Sequence, residues 1–261
     1  MSDLLRFVLT LLAGVLTGML SGAFGAGGGV VSTPAIRFLG ASAFSAVGST
    51  LPPIFPSAIA GGLRYHKQRL IEWPAVKRLI SIGMPAAACC AALAHVIPGN
   101  GHVLMLLTAA LVTITGYRMF RRTPPEILHE EAGDPAPVQA TVPMWVGLCA
   151  GGLSGLLGIG GGVVMVPVLV NRIGFPIKRA LGTSLVSAGF FAIPATLTHA
   201  YFGGIDWKYA LPLAIGVVPG SRIGSALALR SGDRGLRIAV SMFLIAVAIA
   251  LATKELVGWL G

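Results

Sequence analysis

Carboxylates are scarce. The 261-residue chain holds nine Asp and Glu in all, and none lies in the interior of a long apolar run. With no paired intramembrane acids, no HExxH and no GxSxG, an intramembrane protease or hydrolase has no chemistry to run on. A cation carrier lacks its usual ligands for the same reason. Charge of both signs is low, 11% of residues, where a soluble domain carries about 25%. That is too little to cover a water-facing surface. Cysteine is rare as well: Cys89, Cys90 and Cys149 all sit in apolar runs and form no CxxC pair. They read as small buried thiols, not as redox or metal centres. No cofactor and no metal is expected.

Apolar sequence is what the chain has. Hydrophobic residues make up 55% of it, and mean hydropathy is +0.83. Uncharged stretches cover 7–36, 38–63, 135–171 and 180–202. About 20 apolar residues span a bilayer, so an all-α polytopic membrane protein is predicted. The net charge of +10 would suit nucleic acid. In a membrane chain, basic residues instead mark cytoplasmic loops, so lipid and no nucleic acid is the expected partner. Residues 4–20 could pass for a signal peptide. An equivalent segment recurs at mid-chain, so this one is expected to stay in the mature protein.

The recurrence is extensive. LSGAFGAGGGVV at 20–31 returns as LSGLLGIGGGVV at 153–164, and Pro34 returns as Pro167 at the same offset of 133. After one inserted residue, AVGST (46–50) returns as ALGTS (180–184), Ile71-Glu72-Trp73 as Ile205-Asp206-Trp207, and Pro85 as Pro219. Residues 4–120 and 141–258 are thus two copies of one unit. The polar, Pro-rich stretch 121–140 reads as a cytoplasmic linker. Apolar runs and breakers divide each copy into five helical segments: about 4–24, 28–39, 42–62, 73–96 and 101–120, then 141–158, 161–172, 178–202, 207–229 and 236–257. The second segment of each copy is about 12 residues, roughly 18 Å of helix. That is too short for a core of about 30 Å, so it pairs with its predecessor as a hairpin around GxGGG.

Lys and Arg set the orientation. Fourteen fall in one set of connections (64–78, 118–122, 172–179, 230–237) and four, Arg6, Arg37, Lys208 and Lys254, on the other side. The basic side is predicted cytoplasmic, with both termini outside. The copies then lie upside down relative to each other. Inverted repeats with broken helices are the architecture of many secondary transporters, with substrate at the midplane.

The candidate site follows. Gly25, Gly27, Gly28 and Gly29, with Gly158, Gly160, Gly161 and Gly162, are irregular backbone at membrane depth. Such backbone is tolerated only where it is buried in protein or lines a cavity. Each run opens a half-helix whose free N–H groups favour an anion. The alternative is close helix packing through small residues. A Rossmann loop is excluded, since no βαβ pattern accompanies the glycines. Ser49, Thr50, Thr183 and Ser184 are placed to donate to an anion or to bond back to their own backbone. Pro52, Pro53 and Pro56 make the first copy the more distorted one. Arg222 is the one strong charge well inside a span, read either as a substrate contact or as a side chain snorkelling to the interface. His66, His95, His102 and His199 fall near span boundaries and read as interfacial polar residues rather than proton relays.

GAFGAGGGVVSTP (22–34), GLLGIGGGVVMVP (155–167), ALGTSLVSA (180–188) and GGIDWKYALPLAIGVVPGSRIGSALA (203–228) resemble the TauE/SafE-type exporters of sulfite and organosulfonates. The resemblance covers nearly the whole chain. It implies a carrier that moves a sulfur oxyanion or C2–C3 sulfonate, usually outward, with the glycine hairpins and hydroxyl pairs as its site. The prolines of 45–56 and Arg222 depart from the family pattern. Outward movement also suits energetics: with the cytoplasm negative, about 2.3 kcal/mol per charge per 100 mV drives an anion out. An uptake permease or a passive anion channel on the same fold is the alternative. A non-transporting scaffold would not need glycine half-helices in pairs. Many such carriers pair, which makes a homodimer the expected assembly.

Overall fold

The structure is a computed structural model that describes residues 3–25, 27–96 and 142–232, with a few single positions beyond. The linker 121–140 and the fifth segment of the first copy lie outside the described residues, as do His102 and nearly all of the second copy's fifth segment.

The first copy forms α1 (Asp3–Phe24), α2 (Gly29–Phe38), α3 (Ala43–Ser49), α4 (Ile54–Lys67) and α5 (Trp73–Ala94). The second forms α6 (Met144–Leu157), α7 (Gly162–Asn171), α8 (Ile177–Tyr201) and α9 (Trp207–Arg230). Starts follow local chemistry. Ser42 caps α3 by accepting from Ser45 N–H at 3.1 Å, Asp206 caps α9 from Lys208 N–H at 3.0 Å, and Pro74 opens α5, where a missing N–H costs nothing. The segment after Ser42 breaks at Thr50–Pro53 into α3 and α4, while its counterpart α8 runs unbroken for 25 residues. The extra prolines account for the difference.

Helices α1, α5, α8 and α9 are each long and apolar enough to cross a membrane. Their outward faces are greasy. On α9, Leu211, Ile215, Ile223 and Leu227 are exposed, a stripe at i, i+4 spacing. Gly216, Gly220 and Gly224 lie on the buried side and pack directly on the α1 backbone. Large side chains outward and small ones inward is the arrangement of a helix solvated by lipid. The chain is a multi-pass membrane protein.

Packing exchanges partners between copies. Helix α1 packs along α9, with Gly14 against Leu213, Gly18 against Val217 and Gly22 against Ser221. Helix α6 packs along α5, with Gly147 against Leu79, Gly151 against Gly83 and Gly155 against Ala87. These are the same three contacts with the copies swapped, at offsets of 133 and 134. Both pairs run parallel. Helices α4 and α8 meet antiparallel: Ala58 touches Gly189, Gly62 touches Val186, and Tyr65 touches Gly182. Short loops fold α5 back on α4 and α9 back on α8. The C-terminal end of α4 therefore shares one boundary with the start of α8 and the end of α9. Arg64, Lys67, Lys178, Arg179 and Arg230 collect there, with Lys77 and Arg78 of α5. Arg6 and Lys208 lie at the opposite boundary.

Both short helices return to the side they came from. The end of α2 lies at the start of α9, where Tyr209 Oη donates to the Leu39 carbonyl at 3.1 Å. The end of α7 lies at the start of α6, where the Arg172 guanidinium sits 5.8 Å from the centre of the Trp145 ring. Each α1–α2 or α6–α7 pair is a hairpin with its glycine tip inside the bundle.

Candidate functional site

The two tips meet. A Cβ placed on Gly27 would fall 2.9 Å from Gly160 Cα, and one on Gly160 would fall 3.0 Å from Gly27 Cα. Both have positive φ, 77° and 82°, a conformation that side chains disfavour. Glycine is needed here twice over, for the turn and for the approach. Gly25 and Gly158 close the first helix of each hairpin, and Gly28 and Gly161 open the second, all in the left-handed region. Gly29 and Gly162 are the first residues of α2 and α7 and are buried.

The last turn of a helix leaves carbonyls without partners. At α1 and α6 the other copy supplies the donors. Ser184 Oγ lies 3.0 Å from the Gly25 carbonyl, and Thr50 Oγ1 lies 3.3 Å from that of Gly158. One turn earlier, Tyr65 Oη donates to the Gly22 carbonyl at 2.9 Å, and His199 Nε2 lies 3.0 Å from the Gly155 carbonyl. The neighbouring hydroxyls accept instead: Ser49 Oγ from Asp206 N–H at 2.8 Å, Thr183 Oγ1 from Glu72 N–H at 3.1 Å. All four hydroxyls named from the sequence thus gather around the tips, but in this conformation as latches between the copies. Each of Thr50 and Ser184 also has a carbonyl of its own helix in reach, Val47 at 2.9 Å and Leu181 at 3.1 Å. Their protons are committed to protein carbonyls, not left for an anion.

Tyr65 and His199 were missed as a pair. They are equivalent at offset 134, but a phenol opposite an imidazole leaves no identity to notice. Both lie the same distance before the matched acids Glu72 and Asp206, which was the available signal.

Neither α2 nor α7 has a side-chain cap, so the N–H groups of their first turns lack side-chain acceptors. Two buried hydroxyls near the tips have no hydrogen-bond partner among the described residues, Thr17 Oγ1 and Ser154 Oγ. The Thr17 side chain lies against Gly28, its Cγ2 3.0 Å from where a Cβ would stand. Ser154 lies one turn before the tip at Gly158, whose N–H bonds its carbonyl at 2.9 Å. Two positive helix ends meet at the bundle centre, where Gly27 and Gly160 are in contact.

Two side-chain clusters lie at the two boundaries. At the basic boundary, Arg179 and Glu72 pair at 2.8 Å, with Arg179 almost fully buried. At the opposite boundary four rings stack: His95 lies 4.7 Å from Phe44, 4.9 Å from His199 and 4.6 Å from Phe202, centre to centre. Burial holds the His95 imidazole below its usual pKa.

Arg222 is a correction. It does not reach the tips. Gly220, Ser221 and Gly224 face the bundle, which turns position 222 to the outer surface, where it is exposed. There it lines a pocket with Arg64 and Lys67. The cysteines are a smaller correction: Cys89 and Cys149 are exposed on the outer faces of their helices, not buried, and all three are free.

Broken helices with glycine tips inside a multi-pass bundle are an architecture that many membrane transporters share. The family model of the sulfite exporters TauE/SafE matches residues 10–251, and the chain belongs to that family. A probable membrane transporter protein of Xylella fastidiosa is 27% identical over 248 residues, 93% of each chain. YunE and YjnA of Bacillus subtilis, both described as probable membrane transporter proteins, are 26% and 25% identical. They cover 85% and 94% of this chain and 89% and 99% of their own. No solved structure matches the chain.

Proposed function

We propose that this transporter is an inverted-repeat carrier that exports a small sulfur-containing anion, sulfite or a C2–C3 sulfonate. One observation carries the anion reading: two buried half-helix starts have no side-chain cap, and near the tips the buried hydroxyls of Thr17 and Ser154 have no partner among the described residues. A cation would meet positive dipole ends there and no carboxylate. The glycines Gly25–Gly29 and Gly158–Gly162 form the walls and donors. Thr50 and Ser184 hold the two tips in register, and Ser49 and Thr183 hold the loops behind them.

Inversion is supported by the antiparallel contact of the equivalent helices α4 and α8 and by the swapped contacts of α1 with α9 and α6 with α5. The gathering of basic residues at one boundary supports a cytoplasmic side there, with the N-terminus outside. The Arg179–Glu72 pair at one boundary and the His95 ring cluster at the other favour a carrier over an open channel. Opening the Arg179–Glu72 end admits substrate from the cytoplasm, and opening the His95–His199 end releases it. An anion leaving a negative interior gains about 2.3 kcal/mol per charge per 100 mV, so export needs no coupling ion.

The test is flux in proteoliposomes with an imposed potential. Sulfite, sulfoacetate, taurine and lactate are loaded in turn, and efflux is followed. Saturable efflux of a sulfur anion that accelerates with the interior negative is expected. Indifference to the sign of the potential rejects electrogenic export, a rate linear in concentration rejects the carrier, and movement of lactate alone rejects the substrate class.

A further inference from the structure

Between the outer faces of α4 and α9 lies a pocket of about 380 Å³, lined by Ala60, Leu63, Arg64, Lys67 and Arg222. It holds three cations and no carboxylate. None of the three forms an ion pair among the described residues. Three like charges at one pocket repel at low dielectric, and a counter-anion relieves them.

The pocket is walled off from the transport centre. Gly61 of α4 and Ser221 of α9 are in close contact behind it, and Ser221 Oγ donates to the Ser57 carbonyl at 2.7 Å. It opens sideways, toward lipid. The same contact sets its depth. Helices α4 and α9 run parallel, so Lys67 and Arg230 end at one polar boundary, and Arg222 starts eight residues before Arg230, about 12 Å deeper. A long arginine side chain spans part of that distance.

An apolar groove of about 350 Å³ adjoins it, lined among others by Phe55, Ile59, Leu63, Val186 and Phe190. Leu63 borders both cavities. A cationic head site at the membrane boundary that continues into an apolar trough has the chemistry of one molecule. We propose that this face binds an anionic phospholipid, its phosphate among Arg64, Lys67 and Arg222 and one acyl chain along Phe55, Ile59 and Phe190. A free anion would satisfy the cations and leave the trough unfilled. A zwitterionic lipid would fill the trough and leave the excess positive charge.

The experiment uses the full chain in detergent, with phosphatidylglycerol or phosphatidylcholine of equal chain length added and bound lipid counted by native mass spectrometry. Phosphatidylglycerol binds at least about tenfold better. Arg64→Gln/Lys67→Gln/Arg222→Gln abolishes the preference, and Ile59→Trp, which fills the trough, weakens both lipids. Should the triple variant fail to fold, Arg222→Gln alone reduces the preference severalfold. Inorganic phosphate at millimolar concentration does not displace the lipid. Equal binding of the two lipids, a preference kept by the charge variants, or displacement by inorganic phosphate overturns the proposal. The last outcome makes it a free-anion site. Flux of the transported anion is not part of the readout, so failure here leaves the transport reading standing.

Discussion

Ser184 Oγ lies 3.0 Å from the carbonyl oxygen of Gly25, a partner 159 positions away in the chain. Thr50 Oγ1 lies 3.3 Å from that of Gly158. The second contact is the first with the copies exchanged. Each hydroxyl closes a helix end that its own copy leaves open.

Removing such a latch strands a buried carbonyl, which costs about 1–3 kcal/mol. Ser184→Ala should therefore lower the unfolding temperature in detergent. Thr198→Ala is the control, because Thr198 bonds only the Pro194 carbonyl of its own helix, at 2.9 Å. Equal losses in the two variants would remove the cross-copy latch.

Gly160 and Gly174 share a left-handed backbone, with φ of 82° and 81°. A Cβ on Gly160 meets Gly27, whereas one on Gly174 meets nothing within 4 Å. Gly174→Ala should cost only conformational strain, about 1 kcal/mol, and keep transport. Gly160→Ala should force the tips apart, with a larger loss of stability and of flux. The comparison separates turn geometry from close approach in a single measurement series.

Arg179 lies in a nearly buried site with the Glu72 carboxylate 2.8 Å away. Glu72→Ala removes that carboxylate and should cost about 3 kcal/mol. Adding Arg179→Leu should recover part of the loss, since a buried apolar chain needs no partner. A double substitution no more stable than Glu72→Ala alone would argue against the ion pair as the source of the effect.

Arg69 and Gly203 are equivalent positions, each in the tight loop after the third segment of its copy. In a background lacking Cys89, Cys90 and Cys149, Arg69→Cys should react with a membrane-impermeant maleimide only after the cells are opened. Gly203→Cys should react in intact cells. Labelling of both from one side would reject the inverted arrangement.

Much of the fold was legible in the sequence. Helices expected at 28–39 and 161–172 run Gly29–Phe38 and Gly162–Asn171, because consecutive glycines mark the start and the length decides that neither spans. The prolines after Thr50 announced the break between α3 and α4. The facing of Arg222 was present in the spacing of Gly216, Gly220 and Gly224, which assigns the buried side of α9 and leaves 222 outside. Depth along the helix suggested a buried charge, and the angle around it decided otherwise.

The sequence alone determined the membrane class, the repeat and the two glycine hairpins. Each of these depends on neighbours in the chain: the length of an apolar run, the φ a glycine permits, the offset between like motifs. Only the tertiary structure decided what the motif residues touch. Gly27 meeting Gly160, Ser184 reaching Gly25 and Arg222 turning toward Arg64 and Lys67 join residues more than a hundred positions apart. Swapped packing of α1 on α9 and of α6 on α5 sets those contacts, and no local pattern encodes which helix becomes which neighbour.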